Sequence, residues 1–302
     1  MTRCVACDGA RLEPFFLGLD SFGGPESADE TFPYIRCTAC GTVIADPAPT
    51  AETLERAYSN LFVASGPPSR LERLLEPLAR REARRVVTAV PAGGELLDVG
   101  CGTGKFMSRL RLSGWTGPIH GLEPDVRSAE RAKELVGVPV NVGGVEALRH
   151  ESSGLAAVVM RHVIEHVPQP LETLRDVRSL LGPDGVLYLG TPDARALSAR
   201  VFGRYWRGYD PPRHFFAFTA EGTRTLLGRA GFAIEREYWD FSPEMWTGSM
   251  HHALGRGRNP RWASRLTSNM NPLAAIPATL GATVERALGR STMYAVLARP
   301  SG

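Results

Sequence analysis

The spacing of apolar positions along the chain changes near residue 94, and the two stretches read differently. Ahead of it, Thr50 can cap a short helix through Tyr58, with Glu52 and Glu55 near its positive end. Beyond the breaker Gly66-Pro67-Pro68, Leu71, Leu74, Leu75, Leu78, Val86 and Val90 recur at helical spacing. They predict a helix over about 69–90, kinked or split by Pro77. From residue 94, short apolar runs alternate with helical stretches. Strands are predicted at 95–99, 118–122, 138–142, 155–160, 186–189, 232–238 and 293–298, and helices at about 104–113, 125–136, 170–181 and 220–230. Such alternation predicts an α/β fold, a mostly parallel sheet with helices on both faces.

Composition narrows the class. At 302 residues, 43% apolar and 22% charged, the chain suits one substantial core and a smaller accessory unit. A net charge of +3 does not argue for nucleic acid, and no nucleic-acid partner is expected. The only lysines are Lys105 and Lys133; the diffuse scatter of arginines reads as the bias of a GC-rich bacterial genome. No apolar run approaches the ~20 residues that cross a bilayer, and Met1-Thr2-Arg3-Cys4 lacks the pattern of a secretory signal. A cytoplasmic location is the expectation. Three stretches are expected: a cysteine-bearing segment at 1–46, a helical linker at 47–92, and an α/β domain at 93–302 with a helical insertion at about 239–291.

The densest chemistry lies in Leu96-Leu97-Asp98-Val99-Gly100-Cys101-Gly102-Thr103-Gly104. An apolar strand ends at an acidic residue and enters three alternating glycines, which let the backbone turn sharply and approach a ligand that any Cβ would obstruct. A dinucleotide fingerprint would need glycine at Lys105, and a P-loop would need glycine at Val99 and Ser or Thr at Phe106, so both fail. The second strand ends in Gly121-Leu122-Glu123-Pro124-Asp125, where Glu123 can accept hydrogen bonds from a ribose diol.

Asp98, the three glycines and Glu123 together resemble the class I S-adenosylmethionine-dependent methyltransferases, over about residues 94–300. The resemblance implies a Rossmann-like seven-stranded sheet with its last strand reversed, and S-adenosylmethionine as cofactor. It puts Asp98, Gly100, Gly102 and Gly104 along the methionine and ribose portion and Glu123 on the ribose diol. Cys101, Pro124, Met160 and Arg161 complete the expected cofactor contacts, Cys101 being a small buried residue of the loop. The family often carries Gly-Asp-x-Glu after the third strand, with the aspartate on the adenine amino group. Here that segment reads Gly143-Gly144-Val145-Glu146, so adenine falls to backbone around Val145 or to Glu146.

The segment Met160-Arg161-His162-Val163-Ile164-Glu165-His166-Val167 is similar to the Glu-His-Val segment of small-molecule members of that family. If it is helical, His162, Glu165 and His166 share one face. Three readings stand: His162 or His166 as general base, the spacing of an inverted zinc-hydrolase motif, or structural pinning of the loop. Quinone- and RNA-directed relatives bind magnesium here through Glu-x-x-Glu-His, whose first glutamate is replaced by His162. Farther on, the aromatic stretch 204–219 offers Trp206, Tyr209 and Arg213 as a substrate wall and His214 as a second candidate base. A lid that merely packs on the sheet edge is the alternative.

Cys4-Val5-Ala6-Cys7 and Cys37-Thr38-Ala39-Cys40, separated by 29 residues, can surround one structural zinc, an intervening hairpin bridging the gap. Nothing around them favours redox chemistry. This segment resembles the N-terminal zinc-binding segment of bacterial sugar C-methyltransferases and related natural-product enzymes, which carry a further C-terminal domain. The acceptor implied is a small molecule: a natural product, a sugar, or a lipid- or quinone-like compound. The methyl group would move by in-line displacement. Two rivals remain: a zinc module on a non-catalytic sensor domain, and a sulfonium-using enzyme of non-methyl chemistry. Within the insertion, residues 245–290 either contact lipid, a membrane surface or another subunit, or form a plain helical cap. Oligomeric state is left open.

Overall fold

A computed structural model describes residues 3–20, 30–59, 70–90, 93–145, 147, 154–255, 261–267 and 271–301. The chain begins with three strands, β1 (Leu12–Leu19), β2 (Thr31–Cys37) and β3 (Val43–Ala45), then α1 (Ala51–Ser59) and α2 (Arg70–Ala89). A βα alternation follows: β4 (Leu96–Val99), α3 (Lys105–Leu112), β5 (Ile119–Glu123), α4 (Val126–Val136), β6 (Val140–Val142), β7 (Leu155–Arg161), α5 (Pro170–Leu180) and β8 (Leu181–Pro192). The remainder is α6 (Leu197–Phe202), β9 (Phe216–Ala217), α7 (Ala220–Arg229), β10 (Phe232–Asp240), α8 (Pro243–Leu254), α9 (Arg261–Leu266), α10 (Pro272–Ala287) and β11 (Met293–Pro300).

The predicted elements are all present, with bounds shifted by a few residues, and β8 extends beyond the expected 186–189 at both ends. One expectation is corrected: α2 runs unbroken through Pro77, which forfeits one backbone hydrogen bond and does not split the helix. Local chemistry sets the boundaries elsewhere. Asp125 caps α4 by accepting from the Ser128 amide, and Gly137, in the left-handed conformation, closes it on the Lys133 carbonyl. The seven-stranded sheet is mixed and mostly parallel, ordered β10-β11-β8-β7-β4-β5-β6. Buried Leu96, Leu97, Val158, Val159, Val186 and Leu187 fill its centre, the continuous apolar pattern of strands covered on both faces.

The chain packs as two compact units. One comprises Val63–Gly190, Leu227–Glu237 and Val296–Gly302, and holds most of the large sheet. In it α2 pairs Glu76 with Arg109 of α3, 3.2 Å apart.

The other unit comprises Met1–Phe62, Thr191–Leu226 and Tyr238–Ala295. Its four-stranded sheet runs β1-β2-β3-β9, with Val43 opposite Ala217 and Ile44 opposite Phe216. β1 and β2 are the hairpin expected between the cysteine pairs. Tyr34, Trp206, Tyr209 and Met245 form its aromatic core. Trp206 is 1% exposed and donates its indole N–H to Ser198, the arrangement of the packing alternative for the aromatic stretch. Arg213 is buried as well. It is 1% exposed, and its guanidinium is occupied by Asp210 and Asp20, each 2.9 Å from Nη2, with the Pro211 carbonyl beside them. A third buried polar group, Glu285, accepts from Ser198, Trp246 and Thr292 and fixes α10 against α6 and α8.

Removing one member of a buried ionic cluster strands its partners in a medium that solvates them poorly. Arg213→Met is expected to cost about 3–5 kcal/mol, read as a lowered midpoint in urea or thermal melting. A midpoint equal to the parent's would reject the triad as a structural element.

Candidate functional site

The order of strands reverses direction beside β4: the chain goes outward through β5 and β6, then returns to place β7 on β4's other edge. Open parallel sheets bind ligands outside the carboxyl ends of strands at such a point. Register brings those ends level, since Val99 lies opposite Leu122 on one side and Met160 on the other. The loops after β4, β5 and β7 therefore meet: the glycine turn, Glu123 with its sequel, and the His162 segment.

Each glycine of the turn has a positive φ, with its own reason for lacking a side chain. A Cβ on Gly100 would come within 2.5 Å of Val163 Cγ2, so the turn and the β7 loop are in direct contact there. On Gly104 it would press to 3.0 Å on Ala132 and Val136, where α3 and α4 pack. On Gly102 it would meet nothing within 4 Å. Gly102 thus borders open space, and its bareness leaves room for a ligand. Cys101 is buried, its Sγ beneath Gly121, as expected of a small packing residue.

Two carboxylates flank this turn with opposite fates. Glu123 accepts the Gly102 amide at Oε2 (2.8 Å) and the Asp125 amide at Oε1 (3.0 Å). Each oxygen keeps a second lone pair for a hydroxyl. Asp98, 2% exposed, has an Oδ2 with no hydrogen-bond partner among the described residues. Burial pushes its carboxyl up to about 7, against the pull of Arg161 and with the help of Glu123. A buried acceptor without a donor fits a cationic or N–H-bearing ligand. The site therefore fits an aminoacyl nucleoside: bare backbone, a diol acceptor, and an unpaired carboxylate.

Other expected positions fall as follows. Pro124 is exposed after β5, and Val145 is half-buried in the turn after β6; Glu146 lies outside the described residues. The Met160 side chain is fully buried, leaving its backbone as the part that could meet a ligand. Arg161 lies 4.4 Å over the Phe106 ring and 2.6 Å from Glu82 of α2. Neither Glu82 nor Val163 was legible in the sequence, because nothing in their local spacing signals where they reach.

The condition for a shared helical face of His162, Glu165 and His166 is not met. His162 has φ 55°, and only Ile164–His166 form a single tight turn. The left-handed residue ends β7 abruptly and swings the His162 ring outward, where it is 43% exposed with Nδ1 3.4 Å from the buried Glu165 carboxylate. His214, in the other unit, is buried with Nδ1 2.9 Å from the Gly208 carbonyl and Nε2 4.0 Å from Asp210. Tyr209 lines a cavity of about 270 Å³ in that same unit.

Cys4, Cys7, Cys37 and Cys40 bring their sulfurs within 4.8 Å of one another. Two edges measure 3.7 Å (Cys4 to Cys40) and 3.6 Å (Cys7 to Cys37). Four thiolates at the usual ~2.3 Å from zinc would stand about 3.8 Å apart. The donor set fits a tetrahedral metal. Gly9 packs beneath it, where a Cβ would stand 3.2 Å from Cys7 Sγ.

A family model described as a methyltransferase domain matches residues 70–237. Ubiquinone biosynthesis O-methyltransferase of Xanthomonas axonopodis pv. citri is 37% identical over 105 residues, covering 33% of this chain and 44% of that protein. Its counterpart in Xanthomonas campestris pv. campestris is 36% identical over 132 residues, covering 42% of this chain and 54% of that protein. The chain thus spans about half the length of these curated relatives. Among solved structures, the cyclase SpnF superposes with a TM-score of 0.53 at 20% identity, over 80% of this chain and 86% of that one. The mycolic acid cyclopropane synthase CmaA1, complexed with SAH and CTAB, gives 0.53 at 18% identity, over 76% and 86%. At these identities the superpositions establish the fold.

The unpaired Asp98 yields a signed expectation. Its native carboxyl titrates above the ordinary 3.8, so its contribution to ligand-free stability is present below that value and is lost as pH rises to about 7. Asp98→Asn should flatten this dependence and stabilise the ligand-free chain near neutrality by about 1–3 kcal/mol. The same change should weaken S-adenosylhomocysteine binding by at least about tenfold, as lost charge-assisted pairing costs. Melting across pH and calorimetry check both; a variant that binds as the parent does would exclude Asp98 from the site.

Proposed function

The chain belongs to the methyltransferase domain family, and we propose that it is an S-adenosylmethionine-dependent enzyme acting on a small-molecule acceptor. One observation carries the reading: the bare, positive-φ turn at Gly100–Gly104 stands between a satisfied carboxylate, Glu123, and an orphaned one, Asp98. Glu123 holds the ribose diol while steadying the turn through the Gly102 amide. Asp98 takes the ammonium of the methionine portion, and Gly102 gives the ligand its floor. Cys101, Pro124 and Val145 border it through backbone, with Glu146 the remaining candidate near adenine. When bound, S-adenosylmethionine supplies a methyl group on a positively charged sulfur. The protein orients this group and the acceptor and removes the acceptor's proton.

His162 is the leading base. Its ring is exposed at the carboxyl end of β7 with Nδ1 3.4 Å from the Glu165 carboxylate, and Nε2 is the nitrogen placed to accept a proton. His166 is the alternative; His214 is already engaged with the Gly208 carbonyl. The relatives named as O-methyltransferases favour an acceptor oxygen. A non-catalytic sensor is disfavoured because the whole turn and both carboxylates are intact. Zinc in the four-cysteine cluster is the second part of the proposal, with a structural role: it would close the two knuckles beneath the β1–β2 hairpin.

Incubation with isotope-labelled S-adenosylmethionine and phenolic acceptors, followed by product mass, tests the reaction. With a turned-over acceptor, His162→Asn should lower kcat by about 10²–10⁴ and leave S-adenosylhomocysteine affinity unchanged. Unaltered kcat in that variant assigns the proton to His166 or to solvent. Metal analysis should find one zinc per chain, and Cys37→Ser should release it and lower the melting temperature. A metal-free protein with the parent's stability would refute the zinc assignment.

A further inference from the structure

Helix α10 is built inside out. The face that packs on its own unit carries Ala274, Ala278 and Ala282, each at most 2% exposed, and Gly281, where a Cβ would come within 2.5 Å of the Trp246 ring. Its large apolar side chains point the other way. Leu273, Ile276, Leu280, Val284 and Leu288 are 74%, 61%, 61%, 51% and 68% exposed. Their spacing puts them on one stripe along the helix. The threonines beside that stripe do not break it. Thr279 and Thr283 donate their hydroxyls back to the Ala275 and Thr279 carbonyls, each at 2.7 Å, and so turn no free donor outward. Trp262 and Leu266, one turn apart on α9, add two further exposed apolar groups in the same unit. Scattered surface leucines are ordinary, whereas an aligned row of five with the small residues buried is not.

Charge identifies the occupant. Across residues 261–291 the sequence carries Arg261, Arg265, Arg286 and Arg290 and a single acid, Glu285, which is 1% exposed and enclosed by its own hydrogen bonds. A second copy of the chain docking through this stripe would set like charges against like, the outcome that specific interfaces avoid. An anionic bilayer surface complements both features: the apolar row enters the acyl boundary while arginines meet lipid phosphates. No helix among the described residues is long and apolar enough to cross a membrane. We propose that α10 and α9 form a monotopic platform that seats this unit on anionic lipid. The inference stands apart from the cofactor assignment.

The test is co-sedimentation of the intact chain with vesicles of phosphatidylcholine alone and of phosphatidylcholine with phosphatidylglycerol at about 7:3. Binding is expected on the anionic vesicles, weakening with added sodium chloride and low on the neutral ones. Ile276→Gln with Leu280→Gln, both outward-facing and so compatible with folding, should reduce it by at least about tenfold. Arg286→Glu with Arg290→Glu should reduce it with the apolar row intact. Melting temperature and S-adenosylhomocysteine affinity should match the parent's in both variants. Equal and negligible sedimentation with both vesicle types overturns the proposal. So does a dimer in analytical ultracentrifugation that the Ile276→Gln, Leu280→Gln variant dissolves without any lipid binding in the parent.

Discussion

One carboxylate holds the candidate site in shape. Glu123 accepts amides from Gly102 and Asp125, so the turn after β4 and the end of β5 brace each other through a single side chain. The turn needs such a brace because its glycines, free of side-chain contacts, have the largest conformational freedom to lose. The Oδ2 of the neighbouring Asp98 has no such partner among the described residues. The unit thus holds one acid satisfied for architecture beside one whose buried oxygen has no donor among the described residues, within a sheet whose central strands are fully packed.

The α/β alternation was legible because its strands are continuous apolar runs and its helices are periodic, with no competing tertiary demand. The glycine turn was legible down to single positions, since glycine, aspartate and glutamate at those offsets answer to backbone geometry. The aromatic stretch stayed open for a physical reason. Trp206 and Arg213 look identical in sequence whether they face a ligand or the interior; Asp210 nearby and Asp20, 193 positions away, together engage the guanidinium. His162 is a different case. Spacing could say only what a helix there would align, and a left-handed residue at the strand's end turns the chain too sharply for one.

The same limit applies to α10. Its composition left a lipid-facing flap and a plain helical cap open, and only packing shows that Trp246 fills the inner volume and admits alanine and glycine there. Packing on one side, not hydrophobicity, decided which residues were left outside. Glu285 then fixes the orientation, since its five accepted hydrogen bonds to Ser198, Trp246 and Thr292 are available only with that face inward.

The pairing of β3 with β9 has a consequence for biosynthesis. The strands of the cysteine-bearing segment are made well before the strand that completes their sheet, Phe216–Ala217. Until then one edge of that sheet stays open, while β4 to β8 of the large sheet are synthesised. The small sheet therefore cannot close until the chain has been made through Ala217, and the free edge of β3 is open to pairing with other strands in that interval.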